Sequence, residues 1–411
     1  MASAHPADGS FAAGAPGPLT PEGADSIVRT PRLDRLGVVV AVLLLSAATA
    51  LPLATFRANR IAAGQARSVL DALPPAAAAT LVTALLAAAF VAAFGRVAWP
   101  RLIAAAAALV VLAVCMGLSA GHLAPAANRY ARVAPGSGFW VAVFALSILF
   151  ADAVVRLRLG PLARMLVLAL GAAAAATLLA SGAWSGLSIL KEYAGRTDVF
   201  WREAGNHVVL AVGSLAAAVL IGLPLGILMH RIPALRGPVL NVLNLFQTIP
   251  SIALFGILIA PLGWIAAHVP GAAALGIRGI GAAPAFVALF LYSLLPMVAN
   301  TLVGLRQVPY EVRDAAAGMG MTNRQRLLSV ELPLAFPVIL TGIRIVLVQN
   351  IGLATIAALI GGGGLGVFVF QGIGQTATDL ILLGAVPTVA LAFAAAVLLD
   401  AAVELTSRGR P

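Results

Sequence analysis

Six polar residues sit inside or beside apolar runs in the second half of this 411-residue sequence: Gln247, Thr248, Ser251, Asn300, Gln349 and Asn350. Amides and hydroxyls at that depth can replace the water around a polar solute without gripping it, which is the chemistry of a translocation path. Hydrogen bonding between helices is the other use of the same groups. Phe246, Phe255, Trp264 and Tyr292 offer π faces of the kind that take quaternary ammonium groups, although packing or lipid contact accounts for them as well. Nothing points to catalysis. His, Asp and Ser do not cluster as a triad, and His122, His207, His230 and His268 lack ligand spacing, so no catalytic residue and no metal site is assigned. Lys191 is the sole lysine and no Gly-Lys pair surrounds it, so a phosphate-cradling G-x-x-x-x-G-K-[ST] loop is missing. The single cysteine, Cys115, excludes an intrachain disulfide and a thiolate metal cluster. Gly361 to Gly364 suit a sharp turn or a close helix approach.

The elements that must position these groups are membrane helices. Charged residues make up 10% of the chain and hydrophobic ones 61%, where a soluble domain carries about a quarter charged. The net charge of +11 would suit a nucleic-acid binder, but the arginines are scattered in short gaps between apolar stretches, which is the topogenic pattern. A hydrocarbon layer of about 30 Å needs roughly 20 apolar residues. Ten such runs occur, near 37–56, 77–95, 101–119, 138–155, 162–181, 206–229, 239–263, 284–305, 334–360 and 378–402. Arg29, Arg32, Arg35, Arg96, Arg101, Arg156, Arg158, Arg164, Arg231, Arg236 and Arg306 then fall on one side with the tail arginines, which places both termini in the cytoplasm. Asp152 and Arg344 are the most deeply placed charges, and Arg344 is positioned to snorkel toward the cytoplasmic surface. The sequence thus divides into a disordered cytoplasmic tail (1–36), a five-span N-terminal module (37–181), an extracytoplasmic connection (182–205) and a core of five further spans (206–405) rich in Pro, Gly, Gln and Asn.

One stretch breaks the apolar texture. Between Pro309 and Pro333 the chain packs Glu311, Arg313, Asp314, Arg324, Arg326 and Glu331. Pro309 suits a helix start, and Val312, Ala315, Ala316 and Met319 recur at i, i+3, i+4 and i+7 as one apolar face. Gly318 and Gly320 supply a stop, and Thr322 followed by Gln325 reads as a capping box for a second short helix. The sequence therefore specifies a helix-turn-helix on the cytoplasmic surface. Its apolar ridge either rests on the bilayer as an amphipathic connector or docks into a groove on a soluble partner.

The spacing Asp314-Ala315-Ala316, three residues, Gly320, nine residues, Val330, one residue, Leu332-Pro333 resembles the EAA signature of ABC importer permeases. Asp314 stands where that family usually has glutamate, which keeps the charge and shortens its reach. The resemblance runs over roughly 205 to 405 and includes GLPLGIL (222–228), FQTIPSIALFGIL (246–258) and ALIGGGGLG (358–366). Those strings look most like permeases for glycine betaine, choline and related quaternary-ammonium osmoprotectants, in the longer subgroup with extra N-terminal spans. The resemblance implies an all-α integral membrane protein of about ten transmembrane helices, its C-terminal half a type I importer permease fold. It also implies that Asp314, Ala315, Ala316, Gly320, Leu332 and Pro333 couple the chain to a cytoplasmic ATPase. The implied partners are ATPase subunits, an extracytoplasmic substrate-binding protein, a second permease copy or homologue, and membrane lipid, with no nucleic acid. No cofactor is expected on this chain; ATP is used by the ATPase. Methionine or another small amino acid is the alternative solute. An ion-coupled secondary transporter is the alternative class, and it would want midplane carboxylates that the second half nearly lacks.

Overall fold

The computed structural model describes residues 34–60, 62–124, 128 and 130–408. The expected tail lies outside them, except that Asp34 to Leu36 already begin the first helix. That helix, α1 (Arg35–Thr49), is capped by the Asp34 carboxylate, which accepts from the Leu36 amide at 3.2 Å. Here the expected first span, 37–56, is corrected. The helix has 15 residues, a length of about 22 Å that falls short of the hydrocarbon layer. Pro52 cannot donate to a continuing helix, and the chain turns instead into β1 (Ala54–Arg57). β1 is the middle strand of a small antiparallel sheet, flanked by β2 (Gln65–Arg67) and β3 (Arg132–Pro135), with Thr55 opposite Ala66 on one side and Ala134 on the other. The fold is otherwise helical.

After the one-turn α2 (Val69–Ala72) come α3 (Pro75–Phe94), α4 (Ala98–Leu123) and α5 (Ser137–Arg156). With α1 they enclose one core built on Leu44, Leu81, Leu85, Leu112, Leu146 and Leu149. Ala88, Ala105, Ala108 and Ala145 are buried between them, and such small side chains let helix backbones approach closely in lipid. The fifth segment, α6 (Pro161–Ala180), does not join this cluster and lies along the last helix of the chain instead. A short α7 (Ser188–Ala194) leads into α8 (Thr197–Arg231), which begins at Thr197 rather than near 206. At 35 residues α8 is about 50 Å long, so it projects beyond the bilayer.

The expected span 239–263 is also corrected. It is divided into α9 (Arg236–Thr248), α10 (Ser251–Ile257) and α11 (Ile259–His268), broken first at Ile249-Pro250, where proline supplies no amide hydrogen. Only Ser251–His268 of this region is long and apolar enough to cross. Next come α12 (Ala282–Arg306), α13 (Tyr310–Gly318), α14 (Asn323–Arg326) and α15 (Leu332–Leu353), then α16 (Gly366–Gly374) and α17 (Thr378–Arg408). α15 ends at Leu353, earlier than the expected 360, and a 3-10 turn over Ile356–Ile360 delivers the chain to the glycine run. Among the described residues, nine helical segments can span a membrane by length and composition, and α1 is a shorter apolar tenth.

Candidate functional site

The polar insert takes the helix-turn-helix form its sequence specifies. Pro309 is the N-cap residue of α13, and the Met319 amide donates back to Ala315 at 3.0 Å as that helix ends. Gly320 then has φ +80, a conformation that glycine enters without a side-chain penalty. The capping box forms: the Thr322 hydroxyl accepts from the Gln325 amide at 3.3 Å, and the Gln325 side chain accepts from the Thr322 amide at 2.9 Å. The expected single apolar face is split. Ala316 points inward and is 2% exposed, whereas Val312, Ala315 and Met319 face outward, Met319 at 72%. Ala316 thus anchors α13 and leaves an exposed apolar edge beside the exposed Asp314.

Pro333 lies where the second short helix gives way to the next span. α14 runs through a π-helical turn, Leu327–Glu331, straight into α15, so that Asn323–Leu353 is one 31-residue segment. A proline near the start of α15 lacks an amide, and the ladder there closes one residue wider, with the Leu332 amide donating to the Leu327 carbonyl. Leu332 is half-buried and Pro333 exposed. Glu331, 4% exposed, fixes the base of the insert by pairing with Arg326 Nε at 2.9 Å, and His230 lies 3.9 Å away. Arg231 at the end of α8 reaches the Asn323 carbonyl at 3.5 Å.

The six candidate path residues do not form one lining. Asn350 is fully buried, where its Nδ2 donates to Ser214 Oγ at 2.8 Å and to Ser293 Oγ at 2.9 Å, tying α15 to α8 and α12. Gln247 has a specific structural task. Pro296 cannot donate to the carbonyl of Tyr292 four residues earlier, and Gln247 Nε2 takes that freed acceptor at 2.6 Å. The Tyr292 hydroxyl returns a hydrogen bond to the Ile249 carbonyl, stitching the break before α10 to α12. Thr248 bonds its own helix at Leu245, and Asn300 bonds the Pro296 carbonyl at 2.7 Å. Ser251 and Gln349 are half-buried and carry no side-chain hydrogen bond among the described residues. The aromatic candidates do not gather either: Phe255 and Tyr292 are core residues, while Trp264 is 61% exposed and stacks on His268.

Sequence reading passed over two polar arrangements, because each joins residues far apart in the chain. Glu203 accepts from the Gly364 amide at 2.8 Å, and His207 Nδ1 accepts from the Leu365 amide at 3.3 Å. His207 Nε2 therefore carries the proton and donates to the Ile351 carbonyl at 2.9 Å. The glycine run is thus a turn clasped by α8. Gly363 has φ +75, and a Cβ there would lie 2.7 Å from Glu203 Oε2. Arg344 pairs with Asp400 on α17, which Arg164 on α6 also holds at 2.6 Å.

Comparison with known proteins agrees with this architecture. Residues 34–190 match the family described as ABC transporter permease YehY, N-terminal domain, and residues 210–409 match the binding-protein-dependent transport system inner membrane component family. The osmoprotectant import permease protein OsmW of Salmonella typhimurium is 46% identical over 180 residues, 44% of this chain and 79% of that protein. OsmY of the same organism, also named an osmoprotectant import permease, is 41% identical over 215 residues, 51% of this chain and 83% of its own length. The choline transport system permease protein OpuBB of Bacillus subtilis is 37% identical over 187 residues, covering 46% of this chain and 79% of that one. With a relative 46% identical over four fifths of its length and both parts of the chain matched to permease families, the protein belongs to the inner-membrane permease components of binding-protein-dependent ABC importers.

Proposed function

We propose that this chain forms the membrane path of an ATP-driven importer for osmoprotectants such as glycine betaine or choline, and that residues 309–333 are its dock for a cytoplasmic ATPase. The observation that carries the docking role is the insert's geometry. α13 shows an exposed apolar edge of Val312, Ala315 and Met319, and its one fully buried residue is Ala316 on the inner side. α14 is continuous with α15 through the π turn, so a push on the insert is a push on α15. That helix carries the Asn350 node shared with α8 and α12, which spreads the displacement to the helices around the proposed path. Asp314, exposed at the edge, is available to pair with a donor on the cleft wall. Leu332 and Pro333 sit where the insert becomes the spanning helix.

In this reading ATP is bound and hydrolysed by the ATPase subunits, a second permease copy or homologue completes the path, and an extracytoplasmic binding protein delivers the solute. The chain resides in a bacterial inner membrane with both termini cytoplasmic. Ser251 and Gln349, whose side chains hold no hydrogen bond among the described residues, are the groups among the six best placed to meet a passing solute; Gln247, Thr248, Asn300 and Asn350 are engaged with the protein. The test is uptake into proteoliposomes holding the chain, its ATPase and its binding protein. Glycine betaine or choline accumulates only with ATP, and the chain alone hydrolyses no ATP above background. Uptake that follows an ion gradient without the ATPase contradicts the reading.

A further inference from the structure

At the end of α8 away from the insert lies a cavity of about 460 Å³, within the usual size of small-molecule sites. Glu192 in its wall precedes α8 by one short turn, whereas Arg231 at the other end of α8 touches the insert. One wall comes from the N-terminal part: Arg57 at the end of β1, Arg60 after it, Ala62 to Gly64 before β2, and Arg132 on β3. The other comes from Glu192 on α7 and the Gln375 to Asp379 segment that opens α17.

One hydrogen bond and several ion pairs engage Arg60, Arg132 and Glu192. Arg60 Nη2 donates to Gln375 Oε1 at 2.9 Å, and Glu192 Oε1 lies 3.5 Å from Arg132 Nη2. Arg196 Nε approaches the other Glu192 oxygen at 3.7 Å. Two atoms are left over. Arg132 Nη1 and Asp379 Oδ1 are both buried without a hydrogen-bond partner among the described residues, a costly state for charged groups unless something else satisfies them. They are opposite in sign, one a donor and one an acceptor. Burial works against the charge on Asp379, which Arg57, Arg132 and Arg60 favour and Glu192 opposes. Thr376 in the same wall has φ +50, a left-handed conformation that β-branched residues rarely adopt.

We propose that this cavity binds a small zwitterion, its carboxylate on Arg132 and its cationic end on Asp379. An inorganic anion would satisfy the guanidinium and be repelled by Asp379; a metal cation would meet three guanidiniums. A bridging water needs about 30 Å³ of liquid volume, and the cavity is many times larger. Among the described residues no aromatic ring lines it, so the cation is held by charge and not by a π face, and both a methylated and a primary ammonium fit that description. The ligand would contact the N-terminal part and the permease core together. The site extends the osmoprotectant reading above and rests on it for the choice of probe.

The full chain in lipid nanodiscs is titrated calorimetrically with glycine betaine, glycine, choline and acetate. At least one zwitterion binds saturably, and the stronger of the two identifies the ammonium type. Choline, which lacks the carboxylate, and acetate, which lacks the cation, bind weaker by about tenfold or more. Asp379→Asn and Arg132→Gln each weaken zwitterion binding by about tenfold. Ala63→Trp, at an exposed wall position, fills the cavity without removing a charge and abolishes binding, which keeps the test decisive if Arg132→Gln fails to fold. The proposal is overturned if neither zwitterion binds, if choline or acetate binds as well, or if Asp379→Asn and Ala63→Trp leave affinity unchanged. ATP-driven uptake by the assembled importer judges the osmoprotectant reading separately: uptake without binding to the isolated chain removes this site alone.

Discussion

Gly320→Val and Ala315→Leu each abolish ATP-driven uptake while the chain still reaches the membrane at near-normal levels. The two changes act differently. At Gly320 a Cβ would meet no atom within 4 Å, so the penalty is purely conformational: φ +80 is held against a β-branched residue at a cost of about 1 to 3 kcal/mol. The turn relaxes and the two short helices lose their mutual angle. Ala315 is exposed, so leucine costs the isolated chain almost nothing. In the complex it holds the edge of α13 out of a groove shaped for a methyl group, a mismatch of about 1 to 3 kcal/mol. Neither residue lies in a spanning helix, which is why membrane levels hold. Immunoblots of membranes, co-purification of the ATPase and solute uptake check this. Intact assembly and uptake in both variants would make the insert a connector resting on the bilayer.

Arg101→Met destabilises the four-helix N-terminal cluster by about 3 kcal/mol, the lower end of what removing one partner from a buried ion pair costs. Arg101 is completely buried and pairs with Asp34 and Asp152, each at 2.5 Å, and with the carbonyls of Gly95 and Ala92. Burial pushes the Asp34 carboxyl up, but the hydrogen bond and charge of Arg101, with the charge of Arg156, outweigh it and hold that carboxyl below its ordinary value. Without Arg101 both carboxylates remain beside a half-exposed Arg156, which pairs with Asp34 at 2.6 Å and Asp152 at 2.8 Å and limits the loss. Thermal unfolding in detergent gives the magnitude. Adding Asp34→Asn and Asp152→Asn to Arg101→Met recovers much of the lost stability, because the uncompensated charges go with them. A loss below about 1 kcal/mol for the single variant would mean that Arg156 alone suffices.

Local chemistry was readable in the sequence, and pairing across distance was not. The capping box at Thr322 and Gln325, the turn at Gly320 and the start at Pro309 depend on neighbours a few residues away, and their residue types carry the signal. The inward turn of Ala316 depends on what α13 rests against, so periodicity alone assigned it to the wrong side. The first span was misjudged for a related reason. Residues 50–56 are apolar enough to continue a helix, but β1 finds its partners in residues up to Pro135. Gln247 was legible as a buried amide, whereas its acceptor exists only because Pro296, 49 positions on, frees the Tyr292 carbonyl. Arg344 could be seen as a deep charge, but its partner Asp400 lies on another helix. The charged cavity draws on residues from Arg57 to Asp379, a range that no spacing rule spans.

Single-cysteine labelling tests the central claim most directly. In a Cys115→Ala background, Gly195→Cys and Ala315→Cys place thiols on exposed positions at the two ends of the molecule. A membrane-impermeant maleimide added to intact cells labels position 195 and not 315. In inverted vesicles it labels 315, and added ATPase subunits protect that thiol. Labelling of 315 from outside the cell, or equal labelling with and without the ATPase, contradicts the account.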